Sequence, residues 1–391
     1  MRVLLVSSSS GSTGGGEIYL RNLSAGLSQR GHRVQALFST SPVMDKLAGA
    51  VSPFTEVRRE QMVNTYERRT RCLGAALDLA QQRRFRKVFR ELTPDVVHIN
   101  QQVAEDGLDL VLAARGCGAA AVSTIHITRS AAKLGARFGK LRDLVTTAIL
   151  RQANMAHITV AECGRQDLIH RFDLDSQQVR VVPNGVLLAE PSRETRERTR
   201  SRWGTRPRQV VIGSVGRLEA QKGPIFALQL IAALRKKGLD IRYVWIGDGA
   251  LRTGFNETAR QLDIAEAVHV DGWRDDVPDC LLGLDIFLMP SQFEGMPLAL
   301  LEAMGVGLCC CATNVDGIAE AIEHRRSGFL CAPGDLDAWS AQLELLVSDQ
   351  DTREAVGRQA RDHTRMRFGI ETMAAETSEV YQDVLRAHRG N

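Results

Sequence analysis

Twelve short apolar runs, each followed by a stretch with helical spacing, constrain this chain more than any other feature. "RVLLV", "VQALF", "DVVHIN", "AAVSTIHI", "HITVA" and "VRVVPNG" fall in the first half. "VVIGSVG", "RYVWIG", "AVHVDG", "DIFLMPS", "LCCCAT" and "GFLCAP" fall in the second. Near-continuous apolar strands that alternate with amphipathic helices such as "EIYLRNLSAGLSQRG", ending at Gly31, require parallel sheets covered on both faces. Two such series in 391 residues predict two doubly wound α/β domains. The polar stretch 187–209 lacks a strand pattern and is expected to connect them. No internal repeat of short period and no low-complexity tail is evident.

Apolar residues make up 44% of the chain and charged residues 25%, the balance of a globular protein. No stretch is apolar enough to cross a membrane. The run Val3 to Val6 is too short for a secretory signal and reads as a first strand, so a cytoplasmic protein is expected. The eight cysteines include no C-x-x-C pair. Cys309, Cys310 and Cys311 are adjacent and would point to opposite faces of a strand, so they read as small apolar core residues rather than metal ligands. Residues 1–188 carry 25 Lys and Arg against 16 Asp and Glu, whereas the remainder carries 25 against 30. The first half therefore suits an anionic partner.

In open parallel sheets, ligands bind at the carboxyl ends of the strands. The unusual residues cluster in the loops expected there. Gly14, Gly15 and Gly16 follow the first strand and open a helix, which suits close backbone approach and an anion. They also suit a simple tight turn. The stretch is neither a dinucleotide G-x-G-x-x-G nor a Walker loop. Arg217 and Lys222 lie beyond "VVIGSVG", flanked by Gly216 and Gly223, before a helix expected near Pro224. Two cations there suit a diphosphate, or are solvated surface charges. "PSQFEGMPLALLEAM" sets Glu294 in a turn and Glu302 in the following helix, eight residues apart, among Phe293, Met296, Leu298, Leu300 and Leu301. Ionised carboxylates avoid such surroundings without a partner. Substrate hydroxyls, which donate hydrogen bonds to carboxylates, would supply one. Asp275 and Asp276 are expected to cap a helix rather than to bind metal.

With these residues in view, the chain resembles the GT4 family of retaining glycosyltransferases, which have the GT-B fold of two Rossmann-like domains facing across a cleft. "EGMPLALLE" matches the family's E-x7-E motif. "GGGE", "RGHRV", "TIHIT", "VVPNGV", "VGRLEAQKG", "IGDGALR", "GWRDDVPD" and "NVDGIAEAI" match other family segments in order. The resemblance implies an acceptor-binding domain at 1–188, a linker at 189–208 and a nucleotide-sugar-binding domain at 209–371. A final helix at 372–391 would pack back toward the first domain. Arg217 and Lys222 would clamp the donor diphosphate, Glu302 the ribose hydroxyls and Glu294 the sugar hydroxyls. Backbone of Gly295, Met296, Pro297 and Leu298 would line sugar and phosphate, and main chain around Trp273 and Arg274 the base. Gly15 and Gly16 would lie on the loop that closes on donor and acceptor, with His126 beside the sugar. The catalytic set implied is Glu294, His126, Arg217 and Lys222.

The chain departs from the family pattern where Met296-Pro297 replaces the common Phe-Gly, where Ala161 replaces serine, and in "GLCCCAT". The resemblance further implies a hexosyl transfer with retention, no metal, no cofactor besides the nucleotide-sugar co-substrate, and UDP as the commonest nucleotide. A front-face route fits, in which the leaving phosphate takes the acceptor's proton. Two other activities fit the same fold: a non-catalytic nucleotide-sugar-binding protein and a nucleotide-sugar epimerase.

The acceptor is less legible. Between 56 and 92, Arg58, Arg59, Arg68, Arg69, Arg71, Arg83, Arg84, Arg86, Lys87 and Arg90 alternate with apolar residues at roughly helical spacing. Arg129, Lys133, Arg137, Lys140 and Arg142 follow His126. A lipid-linked acceptor and peripheral contact with an anionic membrane are expected, with a sugar or small-molecule acceptor as the alternative. Nucleic acid is not expected, because the basic residues lack interleaved aromatics beyond Tyr66 and Phe85.

Overall fold

The computed structural model describes residues 1–8 and 14–390. Residues 9–13 of the expected glycine-rich loop lie outside the described residues. The chain divides into two compact units, one formed by Met1–Gly185 with Ile370–Asn391, the other by Val186–Gly369.

The first unit is built on a seven-stranded sheet of β1 (Arg2–Ser7), β2 (Arg33–Ser39), β3 (Glu56–Glu60), β4 (Val96–Val103), β5 (Ala120–Ile127), β6 (Ala156–Thr159) and β7 (Val179–Val181). Their order is β3-β2-β1-β4-β5-β6-β7 and every pairing is parallel. Strand order reverses between β1 and β4, so the loops that follow these two strands share the switch point where such sheets bind ligands. Both strands are buried almost throughout because helices cover both faces, although β4 carries the polar His98, Asn100 and Gln101.

Two expectations for this unit are corrected. The strand β3, "EVRRE", is an edge strand whose charges hid it from an apolar search. The basic stretch 56–90, whose apolar residues fall at roughly helical spacing, is helical only in part. It holds β3, a 3-10 turn at Thr65–Glu67, and helices Cys72–Leu77 and Leu79–Leu92. Many of its cations are already paired: Arg58 with Glu60 and Glu91, Arg59 with Asp45, and Arg68 with Asp78.

The last helix, Ile370–Gly390, belongs to this unit. It lies so close to helix Gly15–Gln29 that a Cβ on Gly26 would meet Ala374 and the Ile370 carbonyl at 2.7 Å. Its Tyr381 is fully buried and hydrogen-bonds His98 Nδ1 at 2.5 Å. His98 Nε2 meets the Thr124 hydroxyl at 2.8 Å, and Thr124 meets the Tyr19 hydroxyl at 2.9 Å. A polar chain thus runs through an otherwise apolar interior, each link satisfied by the next.

The second unit carries β8 (Val210–Val215), β9 (Ile241–Ile246), β10 (Val268–Gly272), β11 (Ile286–Met289), β12 (Cys309–Thr313) and β13 (Phe329–Cys331). Its order, β10-β9-β8-β11-β12-β13, is again all parallel, with the switch point between β8 and β11. Cys309, Cys310 and Cys311 form the fully buried β12. The segment expected as a linker is instead folded onto this unit as helix Arg193–Arg202. Arg196 and Arg200 hold Asp285, Arg202 holds Asp271, and Trp203 at the helix end is buried. The helix has no apolar stripe; its arginines reach across to carboxylates, a pattern invisible to periodicity.

Three histidines of the first unit are buried as neutral rings. Burial pushes His98 down to about 3 and His126 and His157 down to about 4. In the unfolded chain each would take up its proton near pH 6.5. Between these values the unfolded state binds more protons, so stability rises with pH. It is complete above about pH 6.5 and declines as pH falls toward the folded values. Urea unfolding at pH 5 is expected to show roughly 2 kcal/mol less stability per histidine than at pH 7, with a shallower dependence in His98→Gln. A stability independent of pH over this range would contradict the buried neutral rings.

Candidate functional site

Lys222 and Glu294 meet at the switch point of the second unit. The Lys222 ammonium donates to Glu294 Oε1 at 2.5 Å, with only 19% and 7% of the two side chains exposed. The partner required by a carboxylate in apolar surroundings is therefore a lysine of the same chain. Met296, Leu298, Leu300 and Leu301 around it are buried, while Phe293 is only half-buried.

The backbone explains how a residue after β8 meets one after β11. The turn Ala220–Lys222 lies against the loop 290–293: the Gln292 N–H donates to the Gln221 carbonyl at 2.7 Å, and Gln221 Nε2 to the Phe293 carbonyl at 3.1 Å. Gly223 then turns the chain with φ of +65° into helix Pro224–Lys236. A Cβ there would lie 2.2 Å from the Pro290 carbonyl oxygen, so only glycine fits. The Lys222 stem runs back across Gly216, which places Lys222 beside the end of β8 and next to Arg217. Arg217 itself is exposed and paired with Glu219 at 2.9 Å.

Gly295 and Met296 complete the turn, and helix Leu298–Gly305 begins after Pro297. Pro297 is the residue just ahead of the helix, so its missing N–H lies outside it. Pro297, at the cap position, makes no side-chain cap. The first N–H groups of the helix therefore present the positive end of a helix dipole beside Lys222 and Glu294. Glu302 is half-buried in the second turn.

Trp273 and Arg274 directly follow β10. Trp273 is 44% exposed. The Arg274 guanidinium is bound at both ends by Asp276, at 2.7 and 2.6 Å, which holds the Asp276 carboxyl below the usual carboxylate range. Asp276 thus grips a side chain and makes no side-chain cap, contrary to expectation.

Gly15, Gly16 and His126 belong to the first unit. His126, next to last in β5, is almost fully buried, against the Tyr19 ring at 4.6 Å between centroids. Its Nε2 meets Asn100 Oδ1 at 2.8 Å, and Asn100 Nδ2 donates to the Gly16 carbonyl at 3.2 Å. A carbonyl accepts only, so it fixes the amide, and the amide in turn places the His126 proton on Nε2. Nδ1 remains the acceptor nitrogen. A Cβ on Gly16 would fall 1.9 Å from Gln102 Nε2, whereas Gly15 has nothing within 4 Å.

Sequence patterns missed Gln221, Asn100, His98 and Asp316. Asp316 Oδ2 accepts the Glu294 N–H at 3.3 Å. Gln221 and Asp316 lie within the segments "VGRLEAQKG" and "NVDGIAEAI", and His98 and Asn100 within the strand run "DVVHIN", but residue spacing alone singles out none of them.

Comparison with known proteins accords with this geometry. Residues 13–190 match Glycosyltransferase Family 4 and residues 195–363 match Glycosyl transferases group 1. The chain belongs to glycosyltransferase family 4. It is 28% identical over 222 residues to the UDP-Gal:alpha-D-GlcNAc-diphosphoundecaprenol alpha-1,3-galactosyltransferase of Escherichia coli, covering 56% of this chain and 57% of that one. It is 31% identical over 237 residues to the D-inositol 3-phosphate glycosyltransferase of Corynebacterium kroppenstedtii, covering 58% and 52%. The matches thus span little more than half the length of these relatives. The crystal structure of Anabaena HepE in complex with UDP and glucose superposes with a TM-score of 0.81 at 18% identity, covering 98% of this chain and 100% of that one. The fold is therefore that of the GT-B glycosyltransferases, two Rossmann-like units.

Removing Lys222 leaves the Glu294 carboxylate buried and unpaired. Lys222→Ala is expected to lower the unfolding free energy by roughly 3 kcal/mol in urea titration, and adding Glu294→Gln to recover more than half of it. A Lys222→Ala protein as stable as wild type would contradict the pairing.

Proposed function

We propose that this chain is a retaining glycosyltransferase that moves a hexose from a UDP-sugar to an acceptor hydroxyl without a metal ion. The observation that carries the proposal is the buried Lys222–Glu294 pair beside a helix start at a sheet's switch point. The two halves of this pair suit the two halves of a nucleotide sugar. Lys222, Arg217 and the helix N–H groups offset the charge of a diphosphate, which grows as that group leaves. Glu294 accepts hydrogen bonds from sugar hydroxyls, and Glu302 from the ribose. Before the donor arrives, Lys222 and Glu294 satisfy each other; on binding they exchange that contact for phosphate and hydroxyls. Cations already placed by the fold supply the electrostatic stabilisation a metal would otherwise give. His126, neutral and with Nδ1 as acceptor, is suited to a hydroxyl rather than to phosphate.

The first unit is assigned the acceptor. A lipid-linked acceptor on an anionic membrane surface is favoured by exposed Leu134, Phe138, Leu141 and Leu144, interleaved with exposed Lys133, Arg137 and Lys140. The lipid-diphosphate substrate named for the E. coli relative supports the same choice. Among the described residues no helix is long and apolar enough to cross a membrane, and the contact proposed is peripheral, at the cytoplasmic face.

Calorimetric titration in the presence of a chelator is expected to show UDP binding more tightly than GDP or ADP, with Arg217→Ala weakening UDP about tenfold. The same protein is expected to float with anionic but not zwitterionic vesicles at low salt. UDP binding that requires added magnesium would overturn the metal-free donor site. Absence from the anionic vesicles would overturn the membrane contact.

A further inference from the structure

Asp316 has a backbone that its side chain does not favour. Its φ of +42° lies in the left-handed region, which residues bearing a Cβ seldom occupy. Such backbone persists where the surroundings hold it, and it concentrates at functional sites. Among the described non-glycine residues with positive φ, several sit at helix ends on the surface, such as Thr93 after Leu79–Leu92. Asp316 is the one that touches the Lys222–Glu294 site.

The local geometry shows what the strained turn achieves. The chain leaves β12 at Thr313, whose hydroxyl donates to the Met289 carbonyl at the end of β11. Val315 N–H folds back to the Thr313 carbonyl at 2.9 Å, a tight reversal just before Asp316. With φ positive at the next residue, the carboxylate returns toward the loop after β11 and accepts the Glu294 N–H at 3.3 Å. The loop that carries Glu294 is then held on two sides. Gln221 fixes its start through residues 292 and 293, and Asp316 fixes the amide of Glu294 itself.

We propose that Asp316 is a positioning residue for sugar recognition: its carboxylate sets the Glu294 backbone and thereby aims the Glu294 side chain at donor hydroxyls. The inference rests on the donor site proposed above and specifies how that site reads the sugar. The Asp316 carboxylate is hydrogen-bonded to the Glu294 backbone, so its loss is expected to fall on the sugar half of the donor. Glycine at this position would adopt the same backbone without strain, so the fold does not require aspartate there. Asparagine tolerates the left-handed region and keeps an oxygen that accepts the N–H.

The test uses Asp316→Gly and Asp316→Asn in the full chain. Thermal unfolding of Asp316→Gly is expected at or above the wild-type midpoint. Its affinity for UDP should stay within about twofold of wild type, because UDP lacks the sugar that Glu294 would hold. Its affinity for the tightest-binding of UDP-glucose, UDP-galactose and UDP-N-acetylglucosamine, relative to UDP, should fall about tenfold, the scale of one hydrogen bond to a charged group. Amide hydrogen exchange of the segment 290–297 should accelerate in Asp316→Gly. Asp316→Asn should restore both readouts to within about threefold of wild type. Unchanged exchange and unchanged sugar preference in Asp316→Gly would overturn the proposal. So would a large drop in its melting temperature, since Asp316 would then serve the fold alone. Failure of the wild-type protein to bind any uridine nucleotide would overturn the donor site and this inference with it. The exchange data would still report the Asp316–Glu294 contact, so the two failures are distinguishable.

Discussion

The loops at the switch point of the second unit are organised around the buried Lys222–Glu294 ion pair. Placing an ammonium and a carboxylate where little of either is exposed is costly unless the two meet with good geometry. Every local feature near Lys222 and Glu294 serves that meeting. Gly223 lets the chain pass the Pro290 carbonyl, Gly216 leaves room for the lysine stem, and Gln221 joins the two loops. The pairing of β8 with β11, Ile286 opposite Ile212, brings these loops together in the first place. A buried pair of this kind contributes little net stability over an apolar substitute. On the donor site proposed above, its value lies in holding two opposite charges ready for a ligand that carries both a diphosphate and hydroxyls.

The first unit shows the same economy with neutral groups. His98, Thr124 and Tyr19 form one hydrogen-bonded chain under His126, and Tyr381 of the last helix closes it. Asn100 joins His126 to the Gly16 carbonyl. Buried polar chains are favourable only when each group is satisfied, so these side chains specify one another's orientation. A segment that returns from the far end of the sequence thus completes the interior beneath the histidine.

Much of this was legible in the sequence because parallel strands buried on both faces announce themselves as apolar runs. Both doubly wound series, the helix starting at Pro224, the buried Cys309–Cys311 strand and the turn carrying Glu294 follow from local pattern. What periodicity could not reveal is held by charges acting at a distance. The edge strand "EVRRE" is polar because one side of an edge has no neighbour. Helix Arg193–Arg202 packs through Arg196, Arg200 and Arg202, whose partners Asp285 and Asp271 lie 69 to 89 positions away. The pairing of Lys222 with Glu294 spans 72 positions, and nothing local marks it. Motif resemblance brought those two residues to one ligand; only the fold brought them to each other.

The central claim is that Lys222 and Glu294 occupy each other's place until a nucleotide sugar takes both. A crystal structure with an intact UDP-sugar, compared with one of the free protein, tests it most directly. The account predicts that the Lys222 ammonium leaves Glu294 for a phosphate oxygen and that the Glu294 carboxylate lies about 3 Å from a sugar hydroxyl. A bound UDP-sugar with the Lys222–Glu294 pair still closed, and neither side chain in contact with it, would contradict it.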